Sequence, residues 1–222
     1  MKAFIITLSN IDSSFKTASN LKLELEVKGI EAELFEGTYG SNAEQLLKSE
    51  NRLPHPVEYT GEPMSEKHKS RIAKKGVIGC FYSHYRLWKK CVELNEPIMI
   101  FEDDAILSRG YFPVEWEGIL LLCMGFEWKK SHKFLSFLEN PTGEPVAIEY
   151  KDGCIPGAVG YAIKPEAAKA LVKKYRKTYD AADLAINTNN VKIYHHSHLM
   201  GRALVKADGK QSLTKTKFWD KK

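Results

Sequence analysis

The sequence lacks long apolar runs and paired cysteines. Its longest uncharged stretch with a buried character, residues 119–125, falls far below the roughly 18–20 residues that a membrane-spanning helix needs. The cysteines lie far apart, without a CxxC pair, at Cys80, Cys91, Cys123 and Cys154. This spacing argues against a zinc knuckle or a dithiol redox site. We therefore expect buried thiols in a protein without a transmembrane segment.

The N-terminus also lacks the features of a targeting sequence. One lysine precedes a short, mainly apolar run at residues 3–8, and polar residues follow without a small-residue cleavage pattern. This beginning is not that of a secretory signal peptide. We expect a cytoplasmic protein.

Charge of one sign is only slightly in excess. The chain of 222 residues carries 33 Lys+Arg against 28 Asp+Glu, for a net charge of +5, and 43% of its residues are hydrophobic. This composition predicts one globular domain and excludes a disordered or fibrous chain. The positive charge favours an anionic partner, but it is too small to choose among nucleic acid, a membrane face and a phosphorylated small molecule.

Hydrophobic patterning predicts alternating strands and helices. The N-terminal third begins with a strand at 3–8, a helix at 13–28 and a strand at 30–35, which favours a parallel sheet with ligands at the carboxyl ends of its strands. The later predicted elements are a helix at 79–94, strands at 98–101 and 119–124, an amphipathic piece at 134–138, a helix at 166–175 and a strand at 191–194.

Residues 37–75 show no clear periodicity. They contain several prolines and end in a basic cluster at 67–75, so we predict a long loop. Loops of this length in compact domains are often functional. A mobile lid over a site and a solvated insertion remain equally open.

Three acids follow a buried strand directly, at Glu102, Asp103 and Asp104. Crowded carboxylates raise one another's pKa unless a cation or several donors compensate. Mn²⁺ or Mg²⁺ would do so and leave positions for phosphate oxygens. The alternative is an acidic turn that caps a helix or faces solvent.

Other candidates are individually ambiguous. His84 lies on an apolar helix face, where a histidine is more often part of the core than a ligand or base. His196 and His198 follow a strand and fall on one side of it, so either could complete a metal site or belong to a polar loop. Asp183 could be a general base or a helix cap.

Four segments taken together resemble glycosyltransferase family 25. They are KKGVIGCFYSHYRLW at 74–88, PIMIFEDDA at 97–105, GAVGYAIKPEAAKAL at 157–171 and AADLAI at 181–186. The resemblance covers roughly residues 1–215. It implies a GT-A-like (Rossmann-like) α/β domain with a mixed, mainly parallel sheet, a nucleotide-sugar donor, a divalent cation and inversion at the anomeric carbon.

The resemblance also assigns roles to individual residues. It implies that the acids bind metal and the donor diphosphate, with Asp104 as the preferred metal ligand beside Glu102, and it makes Asp183 the candidate general base. The implied donor-binding residues are Glu102, Asp103, Ser83, His84, Gly160 and Tyr161. Independently of the resemblance, the position of His196 and His198 after a strand makes either one a candidate to complete the metal shell.

The resulting hypothesis is a single glycosyltransferase domain at 1–215, with a loop or lid insertion at 37–75 and a basic tail at 216–222. It would move a hexose from a UDP-sugar to a saccharide such as lipooligosaccharide. The alternatives are transfer onto a hydroxymethylated base in DNA, as in phage DNA modification, and a non-catalytic nucleotide-sugar-binding module. The scattered lysines would suit DNA or peripheral contact with an anionic membrane.

Overall fold

The computed structural model describes residues 1–58, 60–124, 143–151, 153–155 and 157–203. The strands are β1 Lys2–Thr7, β2 Ala32–Glu36, β3 Leu53–Pro54, β4 Ile98–Glu102, β5 Ala105–Leu107, β6 Ile119–Leu121, β7 Cys123–Met124, β8 Ala147–Glu149, β9 Gly160–Ile163, β10 Thr178–Tyr179, β11 Ile193–His196 and β12 Gly201–Ala203. The helices are α1 Asp12–Val27, α2 Gly40–Ser49, α3 Glu66–Ile72, α4 Lys75–Leu94, α5 Pro165–Lys174 and α6 Ala182–Ala185.

The central sheet has seven strands in the order β2-β1-β4-β9-β6-β11-β8. Strands β2, β1, β4, β6 and β11 run in one direction, whereas β9 and β8 run in the other. The prediction of a mixed, mainly parallel α/β sheet is therefore confirmed. The carboxyl ends of β1, β4 and β11 meet at one edge, which is the expected place for a ligand.

The strands are buried on both faces because helices cover each side of the sheet. Alternate strand residues point to opposite faces: Phe4 and Ile100 belong to the core under α4 and α5, and Ile5 and Phe101 belong to the core under α1. This three-layer arrangement explains the short, continuous apolar runs in the sequence. Within the described ranges, no helix is long and apolar enough to cross a membrane.

The central helix, α4, presents most of its residues to the core. It passes close to the chain after β2, where a Cβ on Gly79 would lie 2.4 Å from the carbonyl oxygen of Thr38. Glycine is required there because any side chain would meet the backbone. The helix ends at Asn95, whose φ of 52° is the left-handed conformation of a helix C-cap.

The prediction of an uninterrupted loop at 37–75 is wrong, since α2 and α3 lie within it. Helix α2 packs on α4 through buried Ala43. Ser65 caps the start of α3, since its hydroxyl accepts a hydrogen bond from the backbone N–H of His68. Helix α3 has only seven residues, too few for a periodic pattern to emerge. A lid role for this segment stays a prediction, as do the domain limits. The predicted piece at 134–138 and the tail at 216–222 lie outside the described residues.

Candidate functional site

The three predicted acids lie at the carboxyl edge of the sheet. Glu102 is the last residue of β4 and stands beside Ile6 of β1 in the parallel register. Asp103 and Asp104 form the turn into β5. All three are partly buried, which makes their negative charge costly unless cations or hydrogen-bond donors compensate it.

His84 reaches Glu102 from α4. Its Nε2 lies 3.3 Å from Oε1 of Glu102, and its Nδ1 lies 2.9 Å from the hydroxyl oxygen of Tyr161 on β9. The indole N–H of Trp88 donates to the same hydroxyl at 2.8 Å. His84, Trp88 and Tyr161 are completely buried. The structure thus joins His84 and Tyr161, both predicted at the site, to Glu102 in one network.

Cys80 is part of this network, although the sequence argument set all cysteines aside. Its thiol lies one helical turn before His84 and donates to Oε1 of Glu102 at 3.6 Å. Burial, reinforced by the charges of Glu102 and Asp183, raises the pKa of the Cys80 thiol well above its ordinary value. Cys80 therefore stays protonated and acts as a donor. The i, i+4 spacing of Cys80 and His84 was the available signal.

Asp183 lies in the first turn of α6 and pairs with Arg71 of α3, whose Nη2 donates to Oδ2 at 3.0 Å. Burial is the main cause that raises the pKa of Asp183, and the charge of Glu102 adds to it while Arg71 opposes it. The charge of Glu102 therefore acts on Asp183. Arg71 lies in the basic cluster at 67–75, but no spacing in the sequence relates it to Asp183.

A second side-chain contact holds α3 against the same segment. Nε2 of His68 lies 3.0 Å from Oδ1 of Asp180, and both side chains are buried. His68 and Arg71 are three residues apart, as are Asp180 and Asp183. Helix α3 therefore contacts residues 180–183 at two successive points.

Ser83 makes its contacts away from the acids. Its hydroxyl accepts from the backbone N–H of Thr38 and donates to the carbonyl of Gly79, each at 2.8 Å. These bonds hold the chain after β2 against α4. A donor-binding role for Ser83 stays a prediction.

The predicted metal ligands His196 and His198 have other partners. Nε2 of His196 lies 2.6 Å from the carbonyl of Phe112, and its Nδ1 accepts from the backbone N–H of His198. A metal ion could reach neither nitrogen without breaking one of these bonds. Nδ1 of His198 lies 3.1 Å from the hydroxyl of Ser197. Neither histidine belongs to the group of metal-capable side chains that the described residues form, which is Cys80, His84 and Glu102.

The carboxylates are the residues that suit Mn²⁺ or Mg²⁺. Oxygen ligands are what these cations prefer, and Glu102 and Asp104 carry them. The charge of Glu102 raises the pKa of Asp183, so these two carboxyl groups disfavour each other's charged form. A hard divalent cation would take its ligands from carboxylates of this kind.

Gly160 is required by packing beneath the site. A Cβ there would lie 2.7 Å from Sγ of Cys123 and 2.8 Å from the ring of Phe101. Gly160→Ala is therefore expected to lower the free energy of unfolding by about 1–3 kcal/mol, the usual cost of overpacking. Urea unfolding measures this loss of unfolding free energy. Gly110→Ala is the matched control, because a Cβ there meets nothing within 4 Å; equal stability loss in both variants would contradict the packing argument.

Comparison with known proteins gives a family match over most of the chain. Residues 1–186 match the model of glycosyltransferase family 25, which is described as LPS biosynthesis protein. The match includes the acids after β4, the α4 network and Asp183.

Similarity to individual proteins is more local. The chain is 54% identical over 43 residues to the lipooligosaccharide biosynthesis protein lex-1 of Haemophilus influenzae, covering 19% of the chain and 14% of that protein. It is 32% identical over 114 residues to lic2B of the same species, with 44% and 40% covered. It is 28% identical over 104 residues to procollagen galactosyltransferase 1-A of Xenopus laevis, with 46% and 16% covered. Each match spans less than half of the relative.

Proposed function

This chain belongs to glycosyltransferase family 25, and we propose that it transfers a hexose from a UDP-sugar to a hydroxyl of a saccharide acceptor. The observation that carries the proposal is the placement of Glu102, Asp103 and Asp104 at the end of β4, where the charge of Glu102 also acts on Asp183. Transfer of a sugar needs one group that takes a proton and another that offsets charge on the leaving diphosphate. This edge of the sheet offers residues for both tasks.

In the proposed reaction, Asp183 takes the proton of the acceptor hydroxyl. The hydroxyl oxygen forms a bond to the anomeric carbon while the bond from that carbon to the diphosphate breaks, and the configuration inverts. Arg71 holds the Asp183 carboxylate by a hydrogen bond, which orients it for this step. Glu102 and Asp104 would hold Mn²⁺ or Mg²⁺, which when bound stabilises negative charge on the leaving diphosphate.

The donor site would include further predicted residues. Asp103 lies in the same turn as Asp104, and Gly160 lies at the start of the adjacent β9. His84 and Tyr161 are fully buried behind Glu102, so they would act on the donor through Glu102 rather than by direct contact.

A lipooligosaccharide glycan is the preferred acceptor class. The names of two relatives, lex-1 and lic2B, include lipooligosaccharide biosynthesis, and this favours a glycan over a hydroxymethylated DNA base. The net charge of +5 suits either anion.

The test is incubation of the full chain with Mn²⁺ and a panel of nucleotide sugars, with truncated lipooligosaccharide or hydroxymethylated duplex DNA as acceptor, followed by mass spectrometry. We expect one added hexose on the glycan, from a UDP-sugar. An added hexose on DNA alone would overturn the acceptor assignment. Nucleotide-sugar binding without transfer or hydrolysis would support the non-catalytic alternative.

Arg71→Gln is expected to move the acidic limb of the pH–rate profile to higher pH. A general base must be deprotonated, so activity falls as the pH drops through its pKa. The pKa of Asp183 is already raised, mainly by burial, and Arg71 opposes that rise. Removing the guanidinium raises the pKa further. Lys69→Gln is the control, because Lys69 pairs with Glu66 on α3 itself; equal shifts in the two variants would exclude a specific effect of Arg71.

A further inference from the structure

We infer that Tyr161 and Trp88 are positioning residues that keep Nδ1 of His84 an acceptor and its ring proton on Nε2, so that His84 donates a hydrogen bond to Glu102. The inference rests on the proposed function, since it assigns these residues a part in preparing Glu102 for the donor and its cation. It follows from the hydrogen-bond donors and acceptors in one series of contacts, which runs from Trp88 through Tyr161 and His84 to Glu102.

Trp88 sets the direction of the hydrogen bonds in this series. An indole nitrogen is a donor only, so the contact of 2.8 Å between Trp88 Nε1 and the hydroxyl of Tyr161 makes the phenol oxygen an acceptor. The hydroxyl hydrogen of Tyr161 must then point elsewhere. Among the described residues, the other side chain within hydrogen-bond distance of this hydroxyl is His84, whose Nδ1 lies 2.9 Å away.

Tyr161 therefore donates to Nδ1 of His84. In the neutral ring, an accepting Nδ1 leaves the proton on Nε2, which faces Oε1 of Glu102 at 3.3 Å. The opposite tautomer would give the phenol oxygen two incoming N–H groups and leave its own hydrogen without an acceptor. An unsatisfied buried donor costs about 1–3 kcal/mol, and the Nε2 lone pair would also face a carboxylate.

The consequence falls on Glu102. Its Oε1 receives donors from two residues of α4, the N–H of His84 and the S–H of Cys80. With one oxygen fixed by two donors, the carboxylate plane and its second oxygen are held in one orientation. A carboxylate that is fixed before the nucleotide sugar arrives needs no reorganisation during the reaction.

The test must separate Tyr161 from Glu102, because a carboxylate alone also favours a proton on Nε2. Glu102→Gln removes that preference, since an amide can either donate or accept. Nitrogen-15 NMR of the histidine rings, without added metal, distinguishes the two tautomers, and the signal of His84 is assigned by its loss in His84→Gln. We expect Nε2–H in the native protein and in Glu102→Gln, and a mixture of tautomers in Glu102→Gln/Tyr161→Phe.

The result that overturns the inference is a proton on Nδ1 in the native protein, or loss of the Nε2–H preference in Glu102→Gln alone. Trp88→Phe, made in the Glu102→Gln background, should also weaken the Nε2–H preference, because it removes the indole N–H that directs the phenol hydrogen. The effect should be smaller than that of Tyr161→Phe, which removes the phenol hydroxyl itself. Tyr85→Phe is the matched control on the same helix, because the Tyr85 hydroxyl donates to the carbonyl oxygen of Val172 and not to His84; it should leave the signal unchanged.

Activity gives a second readout. Tyr161→Phe alone should lower transfer by about 10–100-fold, as is usual for partners behind a metal-binding residue. The NMR result does not depend on turnover, so failure of the tautomer assignment and failure of the proposed sugar transfer remain distinguishable.

Discussion

Asp183→Asn is expected to lower the turnover of sugar transfer by about 10²–10⁴-fold, the usual contribution of a positioned general base. An amide matches the carboxylate in shape and can still accept the hydrogen bond from Arg71, but it cannot take a proton from the acceptor. The loss should therefore appear in turnover, with little change in donor affinity or in the free energy of unfolding. Release of nucleoside diphosphate in the presence of acceptor measures turnover.

Glu166→Gln is the matched control, because Glu166 also lies in the first turn of a helix, α5, which begins at the opposite edge of the sheet. It should keep native turnover. Native turnover in Asp183→Asn, with the fold intact, would show that another group receives the proton. Loss of donor binding in place of turnover would instead assign Asp183 to the donor site.

The elements that carry the acids could be predicted from the sequence because their signals are local. Strand β4 is a continuous apolar run between Pro97 and Glu102, as expected for a strand buried on both faces. Helix α4 shows its apolar face at regular spacing. Placing the acids at a sheet edge needed no more than these two elements and the preference of ligands for carboxyl ends of strands.

The pairing of α3 with α6 could not be predicted in this way. Arg71 and Asp183 are 112 residues apart, as are His68 and Asp180. No local pattern relates such residues, and α3 itself is too short to show periodicity. The basic cluster at 67–75 was visible, but its partner was not.

The contacts of single side chains could not be predicted from the sequence either. Spacing placed His84 and Cys80 on one face of α4, but the meeting with Glu102 depends on how α4 packs over β4 and β9. Spacing likewise placed His196 and His198 on one side of the strand, whereas Nε2 of His196 contacts the backbone carbonyl of Phe112. A pattern gives the direction of a side chain and leaves its partner open.

The second large effect is expected at Asp104, in the turn after β4. Its charge contributes to the raised pKa of Cys80 on α4 and of Cys123 on β7. As a proposed ligand, it would help to hold the cation that offsets charge on the leaving diphosphate. Asp104→Asn should reduce transfer by about 10²–10³-fold, comparable to removing one group that stabilises charge in a transition state.

Titration with Mn²⁺ separates this role from a structural one. The concentration of Mn²⁺ for half-maximal activity should rise in Asp104→Asn, and a chelator should abolish transfer by the native chain. Glu117→Gln is the control, because Glu117 lies beyond the opposite end of β6 and pairs with Lys192; its Mn²⁺ dependence should be native. Transfer that survives both chelation and Asp104→Asn would overturn metal dependence and leave sugar transfer standing. In that case the charge on the leaving diphosphate would have to be offset by basic side chains, and Arg71, already adjacent to Asp183, would be the first to replace.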